Sequence, residues 1–159
     1  MITEEQAAKA FAKIEDGRHV LFVCTGNTCR SPMAEAVFNR YYGGEENKAV
    51  AKSAGLFADG SSISANAEKA LSSIGIAGFT HISKTVSEEM LQEADLVVGI
   101  TKGHASRLML AYPMYASKIT ALPIDIPDPY GGDEKEYKEC LNMILRALRE
   151  MFGEGNKEE

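Results

Sequence analysis

The chain has 159 residues, a net charge of −6 and three cysteines, Cys24, Cys29 and Cys140. That length suits one domain, 1–159, and the apolar and charged fractions, 45% and 25%, are ordinary for a globular protein. The acidic balance argues against a nucleic-acid partner, the odd cysteine count against a secreted disulfide framework, and no apolar run approaches the roughly 20 residues of a bilayer span.

In chain order, Thr3-Glu4-Glu5-Gln6 forms a capping box ahead of Ala7, Phe11 and Ile14 at helical spacing. Residues 1–16 are therefore expected to form an N-terminal helical extension. The first residues are acidic where a signal peptide is basic and then apolar, so the expected location is a reducing cytoplasm without membrane attachment. His19 to Val23 is a compact β-branched and aromatic run and predicts a buried strand. A loop over residues 24–31 follows, and Pro32 opens a helix that stops near Tyr42.

A second strand is expected over Lys48 to Ser53, with helices over Ala65 to Ser73 and over Ser87 to Glu93, where Ser87 is the cap. Asp95 to Ile100 predicts another buried strand, residues Lys102 to Ala111 a helix, and Lys118 to Leu122 the last strand. Pro123, Pro127 and Pro129 punctuate a loop. A long closing helix runs from Asp133 to Met151, with Tyr137, Leu141, Ile144 and Leu148 along one stripe, and a loose tail from Gly153 to Glu159 follows. Strands alternating with helices predict a three-layer α/β/α sandwich around a parallel sheet, of flavodoxin-like kind. Ligands of such folds sit beyond the carboxyl ends of the strands, the edge from which both the 24–31 loop and the Asp125–Gly132 loop emerge.

The chemistry concentrates in Val23-Cys24-Thr25-Gly26-Asn27-Thr28-Cys29-Arg30-Ser31-Pro32. A thiol and a guanidinium stand in C-x5-R spacing within a strand-to-helix turn. Successive N–H groups of Thr25 to Arg30, at a positive helix end, can cradle a phosphate dianion. Gly26 is expected to let the loop curl, and Arg30 offers a planar fork to two phosphoryl oxygens. The same field favours the thiolate form of Cys24, the nucleophilic form. Ser31 can hydrogen-bond that sulfur, and Asn27 can brace the loop through its amide. Asp128, on a proline-stiffened loop, is placed to protonate a leaving group and then to activate water, and Tyr130 to wall the cleft. C-x5-R alone arises by chance, and a buried cysteine is usually a small hydrophobe. The co-occurrence of the loop and the Asp128 segment carries the argument.

These residues resemble the low-molecular-weight protein tyrosine phosphatases over almost the whole chain: Cys24 to Glu35, then Ser53-Ala54-Gly55, then Asp128-Pro129-Tyr130-Gly131-Gly132. The resemblance implies Cys24 as nucleophile, Arg30 as phosphate ligand and Asp128 as general acid. It also implies a supporting network of Asn27, Ser53 and His81, and Cys29 as a reversible disulfide partner that shields Cys24 from over-oxidation. Members similar to bacterial protein-arginine phosphatases carry threonine where this chain has Thr28, whereas tyrosine-directed members carry a bulky aliphatic residue. Threonine makes the floor more polar and slightly smaller, which suits a guanidinium better than an aryl ring. Ionised Asp128 can also pair with that guanidinium. The expected substrates are therefore proteins phosphorylated on arginine, with phosphotyrosine as the alternative.

An arsenate reductase would need further cysteines in a late mobile segment; residues 82–122 have none, and Cys140 sits in a helical pattern. A non-catalytic phosphate-binding module would be expected to lack the nucleophile or the acid, and both are present. His19, His81 and His104 are scattered without zinc-like spacing, so no metal and no cofactor is expected, and the chain is expected to act as a monomer.

Overall fold

Val20, Leu21, Phe22 and Val23 are all buried, so this strand has protein on both of its faces. The computed structural model describes residues 19–43 and 49–155. The helix expected over residues 1–16 lies outside them. Chain order is β1 (His19–Cys24), α1 (Arg30–Tyr41), β2 (Val50–Gly55), α2 (Ala65–Ser73), α3 (Glu88–Glu93), β3 (Leu96–Gly99), α4 (Lys102–Ala111), a 3₁₀ turn (Pro113–Lys118), β4 (Ile119–Ala121) and α5 (Glu134–Phe152).

The described strands form one parallel sheet in the order β2-β1-β3-β4. The chain runs outward from β1 to β2, then crosses back to β3 on the other side of β1. The strand order therefore reverses beside β1, and the crevice at such a switch point is where open α/β folds bind ligands.

Two apolar layers sandwich the sheet. On one face Val20, Phe22 and Val98 pack with α1, α2 and α5; on the other Leu21, Val23 and Val97 pack with α3 and α4. Phe38 of α1 centres an aromatic cluster, with ring centroids 5.9 Å from Phe22 and 5.4 Å from both Tyr42 and Phe152. Full burial of each such side chain stabilises the fold by about 1.5–3 kcal/mol. Burial also pushes the Tyr42 phenol up to about 12.

Several boundaries differ from the sequence expectation. β2 runs through Gly55, because Ala54 and Gly55 pair with Val23 and Cys24 of β1. α1 starts at Arg30 rather than Pro32, so its first turn is part of the phosphate-type loop. The 3₁₀ turn ahead of β4 has no periodic signal in its six residues. The tail is tied at its start: Gly153, at φ 82°, ends α5, and its carbonyl accepts the Tyr42 hydroxyl at 2.7 Å. Residues 156–159 lie outside the described part.

Candidate active site

β1 delivers Cys24 to the carboxyl edge of the sheet, and the chain turns at once into α1. Cys29 occupies the N-cap position of α1 and makes no side-chain capping bond. No side chain therefore competes for the helix's leading N–H groups, as an anion cradle requires. The turn is made by Asn27, at φ 61°, not by Gly26. The expected role of Gly26 as the flexible point is thus corrected. Asparagine tolerates the left-handed region because its short amide bonds locally, and here that amide is fully used.

Asn27 is completely buried at the centre of the loop's support. Its Nδ2 donates to Ser31 Oγ at 2.8 Å and to Ser53 Oγ at 3.0 Å. Its Oδ1 accepts from the Lys84 backbone N–H at 3.0 Å and from His81 Nε2 at 3.0 Å. His81 Nε2 also lies 2.9 Å from the Asn27 carbonyl, so this nitrogen carries the proton. Burial holds the His81 imidazole below its ordinary value, which keeps the ring neutral. Ser53 in turn donates to Glu35 Oε1 at 2.7 Å.

The network has a consequence for the thiol. Ser31 Oγ accepts from Asn27 and has two groups that its own hydroxyl proton can reach, Cys24 Sγ at 2.8 Å and the Ala54 carbonyl at the longer distance of 3.4 Å. Gly55 completes the support from β2. A Cβ there would stand 2.6 Å from the Thr25 carbonyl, so only glycine lets β2 approach the loop this closely.

The Arg30 side chain is buried, and its Nη1 donates to the Ile126 carbonyl at 3.0 Å. Its Nη2 lies 3.7 Å from Asp128 Oδ2 and 3.5 Å from Thr25 Oγ1. Asp128 is also turned by its own loop, accepting the Tyr130 N–H at 3.1 Å. An open cleft of about 480 Å³ lies over these groups. Its lining takes in the loop from Cys24 to Arg30, with Thr28 among them, and Phe57, Asp59, Asp128 and Tyr130 at the rim.

The remaining cysteines lie apart from this chemistry in different degrees. Cys29 is buried in the same loop, its sulfur 3.2 Å from the Tyr137 hydroxyl and 3.6 Å from Ser64 Oγ. Burial, with that thiol beside it, pushes Tyr137 up to about 12. Cys140 faces the Pro127 carbonyl from α5, and burial pushes its thiol up to about 12. All three are free thiols.

The structure thus brings every site residue singled out in the sequence to one cleft or to the network beneath it. It adds groups that sequence reasoning missed: Glu35 behind Ser53, the Ile126 carbonyl on Arg30, Tyr137 on Cys29, and His104, whose Nε2 lies 3.0 Å from Thr25 Oγ1. Only the last had a local signature, a Thr101-x-x-His104 capping pattern at the start of α4. No group of His, Cys, Asp and Glu among the described residues is arranged to hold a metal ion, and none of the described helices is long and apolar enough to cross a membrane.

The sequence model of the family described as low molecular weight phosphotyrosine protein phosphatase matches residues 19–159. A protein-arginine-phosphatase of Bacillus subtilis is 35% identical over 140 residues, covering 83% of this chain and 93% of that protein. An arsenate reductase of Halalkalibacterium halodurans is 36% identical over 134 residues, covering 84% and 88%. Overall identity therefore does not separate those two chemistries, and local residues must. Among solved structures, an arginine phosphatase carrying a cysteine-to-serine replacement, with a phosphorylated active-site serine, superposes with a TM-score of 0.77 at 34% identity, covering 84% of this chain and 93% of that one. The chain belongs to the low-molecular-weight protein tyrosine phosphatase family of cysteine-dependent phosphatases.

Proposed function

We propose that the protein hydrolyses phosphoarginine in proteins, with Cys24, Arg30 and Asp128 as its catalytic residues. The Cys24 thiolate attacks phosphorus, the P–N bond to the guanidino group breaks, and Asp128 gives the departing nitrogen its proton. The N–H groups of Thr25 to Arg30 and the Arg30 fork hold the equatorial oxygens as charge redistributes in the transition state. Ser31, oriented by Asn27, stabilises the sulfur as it leaves. Water, activated by the Asp128 carboxylate, then cleaves the S–P bond and releases inorganic phosphate. Cys29, a second free thiol in the same loop, is the partner with which an oxidised Cys24 forms a disulfide. Phosphorylated proteins are the partners in this reading, met by a monomer in the cytoplasm.

The observation that carries the arginine reading is Thr28. It lines the cleft with its hydroxyl 3.7 Å from Cys29 Sγ, where a bulky aliphatic side chain would favour an aryl ring. The Asp59 carboxylate lines the same cleft and suits a cationic guanidinium, and Asp128, once it has given up its proton, can pair with the released one. Arsenate reduction is disfavoured because Cys140 is buried in α5 against Pro127, away from any exposed relay.

The test compares kcat/KM on a phosphoarginine peptide and a phosphotyrosine peptide for wild type, Thr28→Ile and Cys24→Ser. Wild type is expected to prefer phosphoarginine, Thr28→Ile to lose or reverse that preference, and Cys24→Ser to be inactive. A phosphotyrosine preference untouched by Thr28→Ile would return the protein to the tyrosine class.

A further inference from the structure

His104 is buried at the start of α4, 79 residues away in sequence from the loop it touches. Its Nδ1 accepts the Thr101 backbone N–H at 3.1 Å, and the His104 backbone N–H donates to Thr101 Oγ1 at 3.2 Å. The capping box thus occupies Nδ1 and leaves the ring proton on Nε2. That proton points at Thr25 Oγ1, 3.0 Å away. The Thr25 oxygen meets a second donor, Arg30 Nη2, at 3.5 Å. With its oxygen accepting from two donors, the Thr25 hydroxyl is left to direct its own proton into the cleft it lines.

The same helix end reaches the acid loop. The Lys102 backbone N–H donates to Asp125 Oδ1 at 2.9 Å, three residues before Asp128. The first turn of α4 therefore holds the nucleophile loop through His104 and the Asp128 loop through Lys102. Arg30 lies between them, fixed by Thr25 on one nitrogen and by Ile126 of the acid loop on the other.

We propose that His104 is a positioning residue: by donating Nε2–H to Thr25 Oγ1 it fixes the Thr25 hydroxyl, and through it the Arg30 guanidinium, in the orientation that the transferring phosphoryl group requires. His104 moves no proton in this scheme. Burial, and next the nearby Arg30 charge, hold the ring down to about 4, so it stays a neutral donor at neutral pH. This inference rests on the phosphatase reading of the cleft, not on the choice between phosphoarginine and phosphotyrosine.

The experiment is a double-mutant cycle on the full chain with His104→Asn, Thr25→Val and both together, plus Thr25→Ser as the conservative variant. Asparagine at 104 keeps an acceptor for the Thr101 N–H but falls short of Thr25. Steady-state kinetics are measured on a phosphoarginine peptide and on a small aryl phosphate across pH, with melting temperatures alongside. Each single variant is expected to lower kcat about tenfold while KM moves less than about threefold, because alignment in the transition state is what is lost. The double variant is expected to fall no further than either single, the mark of one shared interaction. Thr25→Ser is expected to keep at least about half of wild-type kcat, since it retains the hydroxyl.

The limbs of the pH profile are expected to stay in place. If His104→Asn does not fold, Thr25→Val and Thr25→Ser carry the test, because Thr25 is exposed. Wild-type kcat in His104→Asn or in Thr25→Val, losses that multiply in the double variant, or a shifted pH limb would overturn the proposal. Wild type active on the aryl phosphate but not on phosphoarginine would sink the substrate reading alone, and the cycle would then be judged on the aryl phosphate. Wild type inert to both would sink the reading and the inference together.

Discussion

Two loops meet across the cleft, and they are built in opposite ways. In the Cys24–Arg30 loop, Asn27, Ser31 and the supporting Ser53 are 0% exposed, and each Asn27 amide atom has its partners. In the Asp125–Gly132 loop, the Asp128 side chain is 51% exposed and Tyr130 is 79% exposed. The first loop must hold several N–H groups and a sulfur in one geometry, and a buried, satisfied network does that because any rearrangement strands a polar atom in the interior. The second stands at the mouth of the cleft, and its Asp128 and Tyr130 side chains meet water. Where geometry decides the chemistry the molecule is rigid, and where the substrate enters it is open.

That contrast can be broken experimentally. Substitutions in the buried loop should cost both catalysis and stability, whereas those at the rim should cost catalysis alone. The largest effect is expected for Arg30→Lys. Loss of the bidentate fork should lower kcat about 10³-fold, and the melting temperature should fall because the buried bond to the Ile126 carbonyl is lost. Asp128→Asn should lower kcat about 10²-fold by removing the proposed general acid, with an unchanged melting temperature. A clear drop in that temperature would mean that the rim is structural after all.

Asn27→Ala should destabilise the fold by about 2–3 kcal/mol in denaturant unfolding, since the Lys84 N–H loses its acceptor, His81 Nε2 keeps only the backbone carbonyl of residue 27, and alanine must adopt the left-handed φ. The smallest effect is expected for Tyr130→Ala, an increase in KM of about two- to fivefold with little change in kcat, the signature of lost uniform binding.

Acid sharpens the same contrast. The His104 imidazole sits at about 4 against an ordinary 6.5, and burial also holds His81 down. Between those values the unfolded chain binds protons that the folded chain does not. The stability is therefore present in full above pH about 6.5 and is lost as pH falls toward about 4. Melting curves across that range should show the loss, and His104→Asn should flatten it.

Much of this was legible in the residues themselves. The Cys24–Arg30 loop is contiguous, so its spacing, the strand before it and the helix after it could all be read from neighbours. The strands and helices carried their own periodicity, and Ser87 was visible as a cap that accepts from the Met90 N–H. Asp128 declared itself by its prolines. Asn27 as the left-handed residue was not legible, because Gly26 beside it is the more permissive residue and only the packing of β2 against the loop decides between them. The 3₁₀ turn carried no pattern either.

What the sequence alone determined was local: the Cys24–Arg30 loop between its strand and its helix, the proline-marked Asp128 loop, and the alternating elements that must enclose them. What only the tertiary structure decided was which distant residues support those atoms. Glu35 reaches Ser53 because α1 packs over β2, and His104 reaches Thr25 because the sheet order sets β3 beside β1, bringing the start of α4 against the loop. Local patterns follow from the propensities and spacing of adjacent residues, whereas these contacts arise when strands far apart in sequence pair, and no window along the chain contains both partners.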